Sequence, residues 1–134
     1  MTERDPAHWL YRFTPAEWLA AAANELAAAD RALSARQQRA GVTQARRAAG
    51  MAWNAVLCQA GDETGYGRSY MDHLQALSRD ATVPEPVQQA ARALVEAPLT
   101  QEIVQLGKGD TRLAREAEVI VDCARERIAP TASN

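Results

Sequence analysis

Alanine constrains this chain more than any other residue, because it occupies 29 of the 134 positions and recurs at steps of three and four. Its short side chain loses no rotamer freedom in a helix, so it has the highest intrinsic helix propensity. No alternating run of β-branched residues is long enough for a strand. With 47% apolar and 24% charged residues, the chain can bury a core. The sequence therefore predicts one all-α domain.

Helix-start signals divide the chain into helices joined by short polar connections. The first is a capping box with proline at the first helical position, and a later serine and aspartate form a second box. The start signals are Thr14–Glu17, Thr43, Ser69–Asp72, Val83–Pro86 and Asp110. Thr43 is expected to cap the second helix after a connection that contains Gly41, and Pro98 is expected to break or kink the fourth.

This spacing favours an antiparallel, up-and-down bundle of four to five helices. We expect the bundle to span residues 14–129. An N-terminal extension over 1–13 would contain a short helical turn, and residues 130–134 would form a flexible tail. Small residues on the second helix predict close packing there. A bundle of this size is expected to form a homodimer.

Several classes of protein are excluded by composition. Cys58 and Cys123 lie far apart, and no Cys-x-x-Cys pair or Cys/His cluster exists, so we expect no metal site and no disulfide framework. Nothing in the sequence points to a cofactor. The first residues lack the apolar segment of a signal peptide, and no apolar run is long enough to cross a bilayer. We therefore expect a cytoplasmic protein that does not contact membranes.

Three segments together resemble the HEPN domain family of small helical bundles. These are EWLAAAANELAAADRAL at 17–33, QARRAAGMAWNAVL at 44–57 and GRSYMDHLQAL at 67–77. The resemblance covers roughly residues 14–128 and implies a HEPN-like bundle that pairs as a homodimer. Many members of the family act beside a nucleotidyltransferase partner in toxin–antitoxin systems, and others cleave RNA.

The RNA-cleaving members of that family use an Arg-x(4–6)-His motif, which Arg68 and His73 fit with four residues between them. The resemblance implies that two copies of the motif would meet at a dimer cleft and act without metal. Histidine titrates near neutral pH, so it could take a proton from a ribose 2′-hydroxyl. Arginine could stabilise charge on the phosphate, and Tyr70 could donate a further hydrogen bond.

The placement of this motif departs from the family pattern. In cleaving members it lies late in the bundle, with a polar Asn, Asp or His after the arginine. Here Ser69 follows Arg68, and the pair opens the third helix as part of a cap. A surface or interface role for His73 is the alternative interpretation.

A second candidate site is a run of arginines without acidic neighbours. Five arginines and no Asp or Glu lie between positions 31 and 47: Arg31, Arg36, Arg39, Arg46 and Arg47. Arginine contacts to phosphate supply much of the affinity of nucleic-acid binding, so this stretch could hold a phosphate or an RNA backbone. The alternative is a solvated loop, or pairing with acids of the last helix such as Glu116 and Glu118.

A third candidate is a polar stripe on the second helix, where Arg47, Gly50 and Asn54 share one face. Our candidate contacts for a ligand or a phosphate are Arg46, Arg47 and Asn54. Glycine within a helix costs about 1 kcal/mol relative to alanine, so Gly50 is expected to have a packing reason.

Besides a plain helical dimerisation protein with no small ligand, two functions remain open from the sequence. The first is a non-catalytic HEPN-like interaction module. It would be homodimeric and would bind a nucleotide, RNA or a partner protein such as a nucleotidyltransferase-type antitoxin. The second is a metal-independent endoribonuclease that uses Arg68 and His73, so whether the protein is an enzyme stays open.

Overall fold

The computed structural model describes residues 9–61, 65–99 and 109–128. A 3₁₀ turn, η1, covers Trp9–Arg12. The five α-helices are α1 (Pro15–Ser34), α2 (Gln38–Ala60), α3 (Tyr70–Leu77), α4 (Glu85–Glu96) and α5 (Arg112–Ile128). No strand occurs in these ranges, which confirms the all-α prediction.

Helix α2 forms the centre of the molecule. It packs against the other four helices and against η1, and its small side chains are buried almost all round. The outer helices follow one another around it in the order α1, α5, α4, α3, each packed on the next. Within the described residues, α1 and α3 do not pack on each other, so the ring of outer helices is open between them. Small residues on α2 allow this close packing, as expected from the sequence.

Two capping boxes fix the starts of α1 and α3, as predicted. The Thr14 hydroxyl accepts from the Glu17 amide at 3.1 Å, and the Glu17 carboxylate accepts from the Thr14 amide at 2.8 Å. Ser69 and Asp72 make the same reciprocal pair at the start of α3. Each box satisfies amide groups that the first helical turn leaves without a partner.

The predicted start of α2 at Thr43 is wrong, because the helix begins five residues earlier, at Gln38. Gly41 does not lie in a connection. It is buried inside the first turns of α2, where a Cβ atom would approach the Leu33 side chain to 2.5 Å. Only residues 35–37 connect α1 to α2, so Leu33 at the end of α1 packs directly against Gly41. Glycine is therefore needed at position 41 because a side chain from α1 approaches closely there. It does not break the helix.

The other ends of the helices agree with the sequence within a few residues. Helix α4 begins at Glu85, and the Asp110 carboxylate accepts from the Arg112 amide at 2.9 Å just where α5 begins. Helix α4 ends at Glu96, just before Pro98, where a break or kink is expected. Residues 1–8 of the N-terminal extension and the predicted tail at 130–134 lie outside the described residues.

The N-terminal turn is part of the hydrophobic core. The Leu10 side chain is fully buried, and the Leu10 carbonyl accepts a hydrogen bond from the Trp18 indole at 2.9 Å. Residues 9–12 are therefore anchored to α1. Within the described ranges, none of the helices has the length and apolarity that crossing a membrane requires.

Candidate functional site

Glycine 50 is buried on the side of α2 that α3 covers. A Cβ atom there would lie 2.3 Å from Cδ1 and 2.5 Å from Cβ of Tyr70, so the tyrosine rests directly on the α2 backbone. The packing reason expected for Gly50 is therefore the docking of α3. We call the surface formed by Glu25, Arg47 and Tyr70 the α1–α3 opening.

The polar stripe on α2 faces two different neighbours. Arg47 points toward α1, where its Nε lies 3.6 Å from Oε1 of Glu25. Asn54 is 1% exposed and points toward α3, where its Oδ1 lies 2.6 Å from Nε2 of His73. About two turns of helix thus separate a half-exposed ion pair from a buried hydrogen bond.

His73 is fully buried, and both of its ring nitrogens lie within hydrogen-bond distance of an oxygen. Nδ1 is 2.7 Å from the Tyr66 carbonyl, and Nε2 faces Asn54. The rings of Tyr66 and Tyr70 meet the imidazole edge-on, each with a centroid separation of 6.4 Å. A surface role for His73 is therefore wrong, because the side chain joins α3 to α2 and to the preceding loop.

The protonation state of His73 follows from these partners. A neutral ring that donates from Nδ1 to the Tyr66 carbonyl can only accept at Nε2. The Asn54 amide then has to turn its Nδ2 toward the ring, and Nδ2 is a buried group without a hydrogen-bond partner in the described orientation. A half-turn of the amide satisfies both groups, whereas the imidazolium would donate to both oxygens directly.

Burial decides between these two states. It lowers the pKa of His73 below the ordinary value, and this effect exceeds the opposing influence of the Tyr66 carbonyl and of the Asp72 carboxylate. A buried charge is costly even when it is hydrogen-bonded. The lowered pKa favours a neutral His73 at neutral pH, and the Nδ1–H tautomer with Asn54 donating to Nε2 is the neutral arrangement that pairs both ring nitrogens.

Acidification is expected to destabilise the protein through this residue. The unfolded chain takes up a proton on His73 near pH 6.5, whereas the folded chain resists protonation until its lower pKa is reached. The free energy of unfolding should fall by up to about 1.4 kcal/mol per pH unit as the pH drops below about 6.5. Urea titrations between neutral and mildly acidic pH measure this loss.

The matched control for this prediction is His8→Gln, which removes the other of the two histidines. That variant should keep the full pH dependence. A free energy of unfolding that stays constant across this pH range would contradict a lowered pKa for His73.

Tyr70 is half-buried above Gly50, and its hydroxyl has no hydrogen-bond partner among the described residues. Burial raises the pKa of Tyr70, while the positive charge of Arg47 lowers it and the negative charge of Glu25 raises it again. The phenol therefore stays protonated at neutral pH. It can donate or accept a hydrogen bond at the α1–α3 opening.

Arg68 lies on the exposed side of the capping box, and its backbone amide faces Oδ2 of Asp72 at 3.4 Å. No described contact joins its side chain to His73. The structure therefore brings Arg47, Asn54, Tyr70 and His73 together, and it does not bring Arg68 to them within one chain.

Arg46 belongs to a different part of the molecule. Its guanidinium donates to the last carbonyls of α4, to Leu94 at 2.8 Å and to Val95 and Ala97 at 3.2 Å. Burial lowers the pKa of Arg46, and the side chain stays charged because an arginine pKa lies far above neutrality. Arg46 ties α2 to the end of α4, so its guanidinium already has three acceptors in place of a phosphate.

Two residues near the site were not singled out from the sequence. Glu25 of α1 supplies the acid of the ion pair, and the Tyr66 backbone supplies the acceptor for His73. The Tyr66 hydroxyl donates to Asp80 across a shallow cleft of about 530 Å³ beside α3. The only sequence signal for this region is the glycine-rich segment that precedes α3.

Comparison of the chain with protein-family models, with curated proteins and with solved structures finds no match. Across the described ranges, no three His, Cys, Asp or Glu side chains come together in a way that could hold a metal ion.

Proposed function

We propose that this protein is a non-catalytic, HEPN-like interaction module that works as a homodimer in the cytoplasm. The observation that carries the proposal is the state of His73. Its ring is fully buried, and both nitrogens are directed at polar groups of the protein itself. A general acid or base has to reach the substrate proton directly or through one water. His73 stabilises the packing of α3 and does not meet that requirement.

The α1–α3 opening is the surface that we assign to the dimer. The adjacent outer helices α1 and α3 of the described fold do not pack on each other there. The opening carries one positive and one negative side chain, Arg47 and Glu25, together with a tyrosine whose hydroxyl has no partner among the described residues. A two-fold axis through this opening would set Arg47 of each copy opposite Glu25 of the other, and such self-complementarity is what an isologous interface requires.

The role of such a dimer would be to bind a partner. The resemblance of the chain to HEPN domains supports a partner of the nucleotidyltransferase antitoxin type. It also supports membership of a toxin–antitoxin or accessory system. A nucleotide or RNA ligand is compatible with the same proposal, because the module would bind it without cleaving it.

Sedimentation equilibrium of charge-reversed variants tests the dimer. Wild type is expected to be dimeric at micromolar concentration. Glu25→Arg should raise the dissociation constant of the dimer at least about tenfold, because like charges would then face each other across the axis. The double variant Glu25→Arg, Arg47→Glu should restore it, since the charges are again complementary.

The matched control is Glu126→Arg, an equal change of charge at an exposed position of α5. This variant should change the dissociation constant of the dimer by no more than about twofold. A monomeric wild type, or a Glu25→Arg variant that dimerises as well as wild type, would overturn the assignment. Circular dichroism shows whether each variant keeps its helices.

A further inference from the structure

Three arginines cluster where α1 turns into α2. Arg31 lies in the last turn of α1, Arg39 in the first turn of α2, and Arg36 in the connection between them. Arg31 and Arg39 are exposed and Arg36 is partly exposed. None of the three has an ion pair or a side-chain hydrogen bond within the described part of the chain. We call them the arginine patch.

Three acids of the described residues, Asp30, Asp110 and Glu118, are paired with arginines outside the patch. Asp30, next to Arg31, binds Arg115 at 2.9 Å, and Asp110 binds Arg112 at 2.6 Å. Glu118 also pairs with Arg115. The expected pairing of this stretch with Glu116 and Glu118 is therefore not what the described residues show. Among the described residues, these three positive charges have no acidic partner, in a chain whose net charge is −2.

Arg36 holds a backbone conformation that favours glycine. Its φ is 64°, in the left-handed region. The Arg36 amide donates to the Leu33 carbonyl at 3.0 Å, and the Gln37 amide donates to the Ala32 carbonyl at 2.8 Å. These two bonds define a Schellman motif, in which the left-handed position is usually glycine. An arginine there is strained, and strain kept at an exposed position points to a use for the side chain.

From these observations we infer that the arginine patch binds the phosphodiester backbone of a nucleic acid. The three arginines lie on the turn between two helices and are exposed or partly exposed, whereas small phosphate ligands are held in enclosed pockets. Several solvent-facing guanidinium groups suit an extended polyanion with regularly spaced phosphates, which arginine recognises through its planar donor fork. The inference names the ligand that the proposed function leaves open, and it does not depend on the proposed dimer, because the patch and the α1–α3 opening share no residue.

The salt dependence of RNA binding tests the inference. The probe is a fluorescein-labelled single-stranded RNA of about 20 nucleotides and mixed sequence, bound to the full chain. Three phosphate contacts on a single strand predict a slope of about −2 for the logarithm of affinity against the logarithm of salt concentration. The affinity should therefore fall roughly 20-fold between about 50 and 200 mM salt.

Removing the charges of the patch should abolish most of this binding. The triple variant Arg31→Gln, Arg36→Gln, Arg39→Gln is expected to lose more than about 100-fold in affinity at low salt, together with most of the slope. The matched control is Arg79→Gln, Arg92→Gln, Arg125→Gln, which removes three exposed arginines from other faces of the bundle. That control should bind within about threefold of wild type, although its net charge equals that of the patch variant.

Arg36→Gly separates binding from folding. Glycine relieves the left-handed strain, so the melting temperature is expected to rise by about 2–4 °C. The same change removes one phosphate contact and should weaken RNA binding about 5–10-fold. A variant that is more stable yet binds less tightly cannot be explained by damage to the fold.

Three results would overturn the inference. The first is equal loss of binding in the patch and control triple variants, which would mean that only net charge matters. The second is an unchanged affinity in the patch variant. The third is competition by poly-glutamate that is as effective as unlabelled RNA at equal charge, which would make the partner an acidic protein. A monomeric protein that still binds RNA through the patch would disprove the proposed dimer alone.

Discussion

Replacing His73 with alanine is expected to lower the free energy of unfolding by about 3–4 kcal/mol. The change strands the buried Tyr66 carbonyl and the Asn54 amide, and an unsatisfied buried polar group costs about 1–3 kcal/mol. The lost ring also leaves a cavity in a fully buried position, which adds to the loss. Because α3 has only eight residues, it depends on this contact to stay on α2.

Urea unfolding of the His73→Ala variant, followed by circular dichroism, measures the effect. The control on the same helix is Gln75→Ala, an exposed position where the change should stay within about 0.5 kcal/mol. His73→Gln retains hydrogen-bonding capacity and should lie between His73→Ala and wild type. If His73→Ala were as stable as Gln75→Ala, the imidazole would have no structural role.

Replacing Gly50 with valine is expected to destabilise the protein by about 3 kcal/mol. The first carbon of the new side chain would meet the base of the Tyr70 side chain at 2.3–2.5 Å, so α3 has to move away from α2. Overpacking of this kind costs about 1–3 kcal/mol, and valine gains little from its helix propensity. Gly50→Ala should cost less, because the higher helix propensity of alanine offsets about 1 kcal/mol of the clash.

The same urea experiment tests Gly50→Val. Ala40→Val introduces the same side chain at an exposed position of α2, where a change of no more than about 0.7 kcal/mol is expected. The Gly50 variants should also raise the accessibility of His73 to hydrogen exchange, because displacement of α3 uncovers its ring. Full stability of Gly50→Val would mean that Tyr70 does not pack closely on α2.

Local signals in the sequence predicted local structure well. The capping boxes at Thr14 and Ser69 work through residues three positions apart, so sequence alone locates the starts of α1 and α3. The sequence places Gly41 in a connection because the contact that requires glycine there is not between close neighbours in sequence. Whether a glycine ends a helix or admits a neighbour depends on Leu33, which approaches from the preceding helix.

The site shows the same division between local and distant information. The sequence grouped Arg46 and Arg47, yet neighbouring residues point about 100° apart around a helix. Arg46 therefore reaches the end of α4 while Arg47 reaches α1. His73 is a candidate from the sequence because of its spacing from Arg68. Its hydrogen bonds depend instead on Asn54, 19 residues away, and on the Tyr66 carbonyl. The spacing of residues along the chain indicates which chemical groups a motif contains. It does not indicate which residues from other parts of the chain bury those groups.

The central claim is that His73 is a structural residue of a non-catalytic module. Incubation of a mixed-sequence RNA with the whole chain in EDTA tests it most directly, after light scattering has established the oligomeric state. We expect the RNA to stay intact with wild type. Cleavage by wild type, lost in a folded His73→Gln variant and kept in His8→Gln, would contradict it and make the protein a metal-independent ribonuclease.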